Sequence, residues 1–481
     1  MDAEPSTSSR RTRRGVVVKI TIAACALLIS ACSLPPPPGS QSAPDELVWA
    51  IGGAAAGPGA VNEQIAELYK EQDQSRPTVR VEQLPEEADL QREQMAYELQ
   101  AQGAGFDILG LDVIWTGEFA VNGWIESLED IRGDLEGVVL DSALESGIYE
   151  DELWAAPFNT NAGFLYYRTD LVDEPPETWD ELAQIAQEIG EREGIGGYVA
   201  QGSQYEGMVV HYLELVWGAG GGLLNDDADT SVLTEGGAGR QALEFMQSGM
   251  QDGWFAPGFN TLTEEEARNI FQSGNAVFMR NWPYAYGLMS GEDEENPSQV
   301  ADRFDIAPIP TFTGEGTVSA LGGFNLAVSA YSEKKDQVKE FIAWIATDPD
   351  AQRLLAEDTT PPVRQDTYDE LQDDPVMSLL GEILPDAKPR PPAPQWNEIS
   401  VEMQRALFPA YNGQQDPAEA SESVAAHTTN SLAASLLSEN ALTALLKPPR
   451  AEIVPSPEKV GSGAMSKFSR TGLCWSSWIS E

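Results

Sequence analysis

The sequence predicts an α/β protein with largely parallel sheets, on three observations. Short apolar runs alternate with segments of helical periodicity, at the spacing of strand–helix units. Hydrophobic residues make up 42% of the 481 residues, with 12 Trp, 13 Tyr and 15 Phe, enough to bury a sizeable core. No internal repeat of fixed period is present, which argues against a solenoid. The length allows two or three domains at roughly 150 residues each.

The first 31 residues read as a signal peptide. Arg10, Arg11, Arg13 and Arg14 form a basic stretch, and Ile20 to Ala31 is mostly apolar. As a helix that run reaches only about 18 Å, short of the roughly 30 Å of a bilayer core, so it is a signal rather than a span. Arg13-Arg14 is compatible with twin-arginine export as well as ordinary secretion. The run ends Ile29-Ser30-Ala31-Cys32, which resembles a lipobox, making Cys32 the expected lipidation site. Residues 32–44, rich in Pro, Ser and Gly, then serve as a flexible tether holding a domain off the membrane. The expected location is the extracellular face of the cell membrane.

Strands are expected at Leu47–Ile51, Val79–Leu84, Phe106–Leu111, Gly163–Tyr167, Ala276–Met279 and Phe324–Ala330, the apolar runs between turn signals. Helices are expected over 62–73, 89–102, 179–194, 238–251, 264–273, 334–347 and 396–408. Thr178 with Glu181 and Thr263 with Glu266 have capping-box spacing and mark two helix starts. The segment 428–481 has four acids and five bases, against 71 and 19 over 33–427, and so marks a tail of different character. Its first part, 428–445, is expected to be partly helical and the rest mostly disordered.

Charge and residue counts exclude several functions. The net charge of −48 repels a phosphate backbone or anionic lipid, so no nucleic-acid partner is expected. His211 and His427 are the only histidines, and Cys25, Cys32 and Cys474 the only cysteines. Neither a zinc cluster nor Ser-His or Cys-His catalysis is readable from so few, and no metal or cofactor is expected. Walker A, HExxH, GxSxG and EF-hand patterns are absent. The glycine-rich Gly52–Gly57 lacks dinucleotide spacing and reads as a strand-to-helix turn. Paired carboxylates remain open, because a glycosidase needs only two at about 5–9 Å. Asp112 and Glu118 sit in apolar contexts, where a charge is either a ligand group or a helix cap. Several aromatics, among them Tyr205, Trp282 and Tyr284, lie beside turn or strand-end signals. Trp282 directly follows a strand, where open α/β sheets place ligands.

Six segments together carry a family resemblance. They are Leu111-Asp112-Val113-Ile114-Trp115-Thr116-Gly117-Glu118-Phe119 with Gly123-Trp124, Ala156–Asn161, Thr263–Ala267, Asn281-Trp282-Pro283-Tyr284, Gly322–Val328 and Lys388-Pro389-Arg390-Pro391. In order and spacing they resemble family 1 of extracellular solute-binding proteins, the capture subunits of ABC importers, and most closely its mycobacterial trehalose-binding lipoproteins. The resemblance covers about 45–427. It implies a two-lobe periplasmic-binding-protein-like fold of type II, with a hinge and an interlobe ligand cleft. Lobe one would be 45–157 plus 318–358, and lobe two 158–317 plus 360–427.

The resemblance also implies site residues. Asp112 and Glu264 would accept hydrogen bonds from sugar hydroxyls, while Asn161 would donate and accept. Arg390 would present a planar fork, Trp282 a stacking face, and Gly323 a close backbone approach. Gln91, on the helix 89–102, is a further candidate. The expected ligand is trehalose or another α-glucoside, the expected partners are membrane permease subunits, and a monomer suits the task. One departure is visible: the polar, acid-containing turn of the trehalose-binding relatives reads here Ala54-Ala55-Ala56-Gly57-Pro58-Gly59, so one contact is missing or supplied elsewhere. Two rival readings stand beside capture: a secreted glycosidase using Asp112 and Glu264, and a surface scaffold lipoprotein without a small ligand.

Overall fold

The structure, a computed structural model, describes residues 45–52, 60–225, 229–291, 297–391 and 393–446, with side chains described as far as 434. The signal segment, Cys32, the tether, the Ala54–Gly59 turn and 447–481 lie outside the described residues.

Twelve strands occur among the described residues: β1 (Glu46–Ile51), β2 (Thr78–Gln83), β3 (Ile108–Asp112), β4 (Ile148–Tyr149), β5 (Glu152–Leu153), β6 (Ala156–Ala162), β7 (Phe164–Arg168), β8 (Gly196–Val199), β9 (Ala276–Asn281), β10 (Phe304–Ala307), β11 (Ala320–Val328) and β12 (Lys388–Pro389). The first sheet runs β12-β11-β3-β1-β2, with β6 also paired to β11, and the second runs β10-β7-β9-β8. β1 pairs on both sides, with β2 and β3, and its residues from Leu47 on are all buried, as a strand covered on both faces requires. β2 is the edge, and its burial is correspondingly partial.

The expectation of largely parallel sheets needs correction. β1 pairs parallel with β2 and β3, β8 with β9, and β11 with β12. β11, however, runs antiparallel to both β3 and β6, and β7 antiparallel to both β9 and β10. Strand direction leaves no trace in the pattern when both faces of a sheet are covered, since either pairing reads as a continuous apolar run. The antiparallel members are those that carry the chain between sheets. β6 ends at Ala162 and β7 begins at Phe164, so only Gly163 separates the two sheets there. The return runs from β10 to β11.

The expected helices are all present, within a few residues of their predicted ends. Several others were not anticipated; the longest of those inside the body of the fold is Glu206–Gly218, in which all thirteen residues are buried. A helix covered on every side has no polar face, so the 3.6-residue stripe that reveals a surface helix is missing. The segment 428–445 is the second half of a continuous helix, Pro417–Leu446. Thr428 and Leu432 on it are buried, and the helix packs on Trp396–Tyr411 and Ala238–Gln251. A boundary at 427 therefore falls inside a helix.

The first sheet has an apolar core of its own under one face, and a second, larger core extends from its other face through the second sheet. Under the first, Trp49 meets Phe158 edge-on at 5.2 Å and Tyr69 meets Phe341 at 4.9 Å, joining the helices Val61–Gln72 and Lys335–Thr347 to the sheet. Beside the second, Trp179, Tyr198, Phe245, Phe255 and Phe259 form a continuous aromatic cluster. No helix among the described residues is long and apolar enough to cross a membrane.

Candidate ligand-binding site

A cavity of about 460 Å³ lies between the two sheets, within the size range of small-molecule sites. Gln91, Asp112, Asn161, Glu264, Trp282, Gly323 and Arg390 all line it. Five of them lie on five separate helices and strands, Trp282 and Arg390 follow two further strands directly, and the fold brings them together.

On the side of the first sheet, Asp112 ends β3. Its Oδ1 accepts the Ile114 N–H at 3.1 Å, so it closes the local turn and faces the cavity as well. It caps no helix, because Thr116–Val121 begins after Trp115. Glu118 goes the other way: Arg92 Nε donates to its Oε2 at 2.7 Å, and it does not border the cavity. Gly323 on β11 has φ +122°, and a Cβ there would sit 2.3 Å from the Asn159 carbonyl oxygen, so only glycine lets β6 and β11 approach this closely. Gln91 is buried, donates through Nε2 to the Glu86 carbonyl at 2.9 Å, and leaves Oε1 without a partner. Asn161 on β6 likewise has an unpartnered, buried Oδ1. Asn62, at the start of the helix Val61–Gln72, is fully buried with neither Oδ1 nor Nδ2 bonded.

On the side of the second sheet the polar groups are already paired. Glu264 begins the helix Glu264–Gln272, where the helix dipole favours a carboxylate. Its Oε2 accepts the Tyr205 hydroxyl at 2.6 Å. Burial raises its pKa, against the opposing pull of that hydrogen bond. The capping box expected at Thr263 is formed, with the Thr263 N–H donating to Glu266 Oε2 at 3.0 Å. At Thr178 only half of the box exists: its hydroxyl accepts the Glu181 N–H, while the Glu181 carboxylate takes the Glu177 N–H. Tyr284 donates to Glu265 Oε1 at 2.7 Å. Trp282 follows β9 directly, its N–H held by Asn281 Oδ1 at 2.8 Å, and its ring borders the cavity.

Arg390 joins the two sides. It follows β12, is 3% exposed, and donates from Nη2 to Asp112 Oδ1 at 2.8 Å and from Nη1 to Glu206 Oε1 at 2.7 Å. Burial pulls its pKa down, but the two carboxylates outweigh that and hold it above the usual arginine value. The nitrogen left without a partner is Nε. The planar fork expected to meet sugar oxygens is thus engaged by carboxylates.

Glu206, Asn62, Tyr205 and Tyr284 also line the cavity. The two tyrosines were visible as aromatics at turns. Glu206 had a usable signal as well: a lone acid heading the apolar run Met208–Trp217. Asn62 had none, because its lack of partners exists only in three dimensions. Among the described residues the lining contains no histidine, cysteine, serine or lysine. It offers acceptors, a few donors and an aromatic face.

The sequence profile described as bacterial extracellular solute-binding protein matches residues 58–352. A probable ABC transporter-binding protein of Deinococcus radiodurans is 32% identical over 352 residues, which span 69% of this chain and 81% of that protein. The mannitol-binding protein of Pseudomonas aeruginosa is 25% identical over 320 residues, 64% of this chain and 72% of that protein. Among solved structures, the maltose-bound MalE3 of T. maritima superposes with a TM-score of 0.74 at 32% identity, covering 80% of this chain and 98% of that one.

Proposed function

The chain belongs to the bacterial extracellular solute-binding protein family, and we propose that it is the capture subunit of an ABC importer, taking a disaccharide or related α-glucoside such as trehalose. It performs no chemistry in this reading. Its lobes in this reading are 45–157 with 318–358 and 158–317 with 360–427; the chain itself passes between the sheets at Gly163, at the end of β6 and a few residues beyond the proposed boundary. Lipid on Cys32 tethers the protein, as a monomer, at the extracellular face of the membrane. Cleft closure around the sugar is what the permease subunits recognise.

The observation that carries this reading is a set of buried polar atoms without partners around one cavity: both amide atoms of Asn62, Gln91 Oε1, Asn161 Oδ1 and Arg390 Nε. A buried polar group without a hydrogen bond is costly, and such groups in a native protein call for an explanation. A neutral polyol supplies one, because each hydroxyl both donates and accepts. Trp282 offers the flat face that the C–H side of a pyranose stacks on. The maltose-bound and mannitol-binding relatives support a sugar or polyol.

The test is isothermal titration of residues 45–481 with trehalose, maltose and glucose in turn. Saturable one-to-one binding without turnover is expected. Micromolar affinity corresponds to about −8 kcal/mol. Trp282→Ala or Asp112→Ala should each weaken it by at least about tenfold. Hydrolysis of a disaccharide that disappears in the Asp112→Asn, Glu264→Gln double variant would replace capture with a glycosidase. Absence of heat with all three sugars would remove the α-glucoside.

A further inference from the structure

Behind the aromatic wall of the cavity lies an ion pair that the site as described does not use. Arg280 is 1% exposed and Glu214 fully buried. The pair is two-pronged, with Arg280 Nε to Glu214 Oε2 at 2.8 Å and Nη2 to Oε1 at 2.6 Å. Arg280 Nη1 also donates to Gln201 Oε1 at 3.1 Å, so all three guanidinium nitrogens are bound. A buried ion pair is weak evidence for stability, since an apolar replacement of similar volume often does as well. Its neighbours point to another role. The Arg280 guanidinium carbon lies 4.1 Å from the centre of the Trp282 ring. Glu214 Oε1 accepts the backbone N–H of Ala320 at 3.0 Å, at the first residue of β11. A Cβ on Gly163 would fall 2.6 Å from both Arg280 Nη2 and Glu214 Oε1, and the Ser319 hydroxyl donates to the Gly163 carbonyl at 2.8 Å. One ion pair therefore touches the ring that lines the cavity and both places where the chain passes between the sheets.

We infer that Arg280 and Glu214 are positioning residues for ligand capture: they fix the plane of Trp282 and tie that ring to the two chain crossings. The guanidinium cannot rotate away from the ring, because Glu214 and Gln201 hold it on three nitrogens. The ring in turn has one face on a cation and is left to meet ligand with the rest of its surface. The inference rests on the sugar-capture reading for its ligand but not for its geometry.

The test uses a thermodynamic cycle on the mature protein, with maltose and trehalose as probes. Arg280→Gln with Glu214→Gln leaves no buried charge unpaired and keeps an amide oxygen for the Ala320 N–H. That double variant should weaken sugar binding about tenfold at temperatures where it is fully folded, and should add no more than about twofold in a Trp282→Ala background. Native affinity in the double variant, or an equal loss with and without the Trp282 ring, would overturn the inference. A ligand-free readout stands apart from the sugar. The emission contributed by Trp282, taken as the difference from Trp282→Phe, should become more accessible to acrylamide when the pair is removed. Unchanged quenching overturns the inference even when no sugar binds, whereas absence of sugar binding with raised quenching overturns only the capture reading. If the double variant does not fold, Arg280→Lys, which keeps the charge but loses the fork, takes its place in both arms.

Discussion

The two walls of the cavity solve the burial of polar groups in opposite ways. On the first-sheet side, Asn62 and Gln91 are buried with amide atoms that bond to nothing, and Asn161 on the connecting strand is in the same state. On the second-sheet side, Glu264, Glu265 and Trp282 are tied to Tyr205, Tyr284 and Asn281 in turn. A satisfied network holds its side chains in one arrangement and is preorganised. An unsatisfied one carries a free-energy cost that a ligand with hydroxyls would remove. Under the proposed sugar capture the walls would have separate tasks: the aromatic wall would set where a ring lies, and the amide wall would supply the gain on binding.

The largest effect should come from the residue that joins the walls. Arg390→Ala leaves Asp112 and Glu206 facing each other without a cation, and breaking a buried pair in this way costs roughly 3–5 kcal/mol. Urea unfolding measures it. A loss below about 1 kcal/mol would mean that the two walls are not held through Arg390. The next effect tests whether the layer behind the second wall is as closed as it looks. His211, on the helix headed by Glu206, is fully buried, with Nε2 at 3.0 Å from the Tyr198 hydroxyl. Burial, helped by Arg280, holds its pKa down at about 3. The unfolded chain protonates this imidazole near pH 6.5 while the folded one does not. His211 adds nothing above that pH, and it lowers stability by about 1.4 kcal/mol per unit as pH falls from about 6.5 towards 3. His211→Gln should flatten that acid limb in denaturation curves taken at pH 7, 6 and 5. Parallel curves for the two proteins would show water reaching the imidazole.

The same contrast explains what the sequence revealed. Asp112, Glu264 and Trp282 lie at strand ends and a helix start, where turn chemistry is local and a polar or aromatic residue stands out against an apolar run. The helix from Glu206 to Gly218 did not stand out, because every face is covered; its polar members Glu206, His211 and Glu214 were the clue that periodicity hid. The direction of β6, β7 and β11 was illegible for a related reason, since side-chain alternation records which faces are buried and not which way the neighbour runs. Arg390 was legible as a site residue, while its two carboxylate partners come from positions 278 and 184 residues away and could only be found in the fold.

The smallest effect is the most specific to the amide wall. Asn62→Leu removes a fully buried amide whose atoms have no partner and puts an apolar group of similar volume in its place. If the amide exists for the ligand, the ligand-free protein should lose no stability and should gain up to about 1 kcal/mol, because a desolvated polar group has been removed. Sugar affinity should fall at the same time by about 1 kcal/mol, roughly fivefold, because one neutral hydrogen-bond pair is lost. Gains and losses of opposite sign in one substitution are not produced by a residue that merely packs. A variant less stable than the native protein but equal in affinity would make Asn62 a structural residue, and the amide wall would then rest on Gln91 and Asn161 alone.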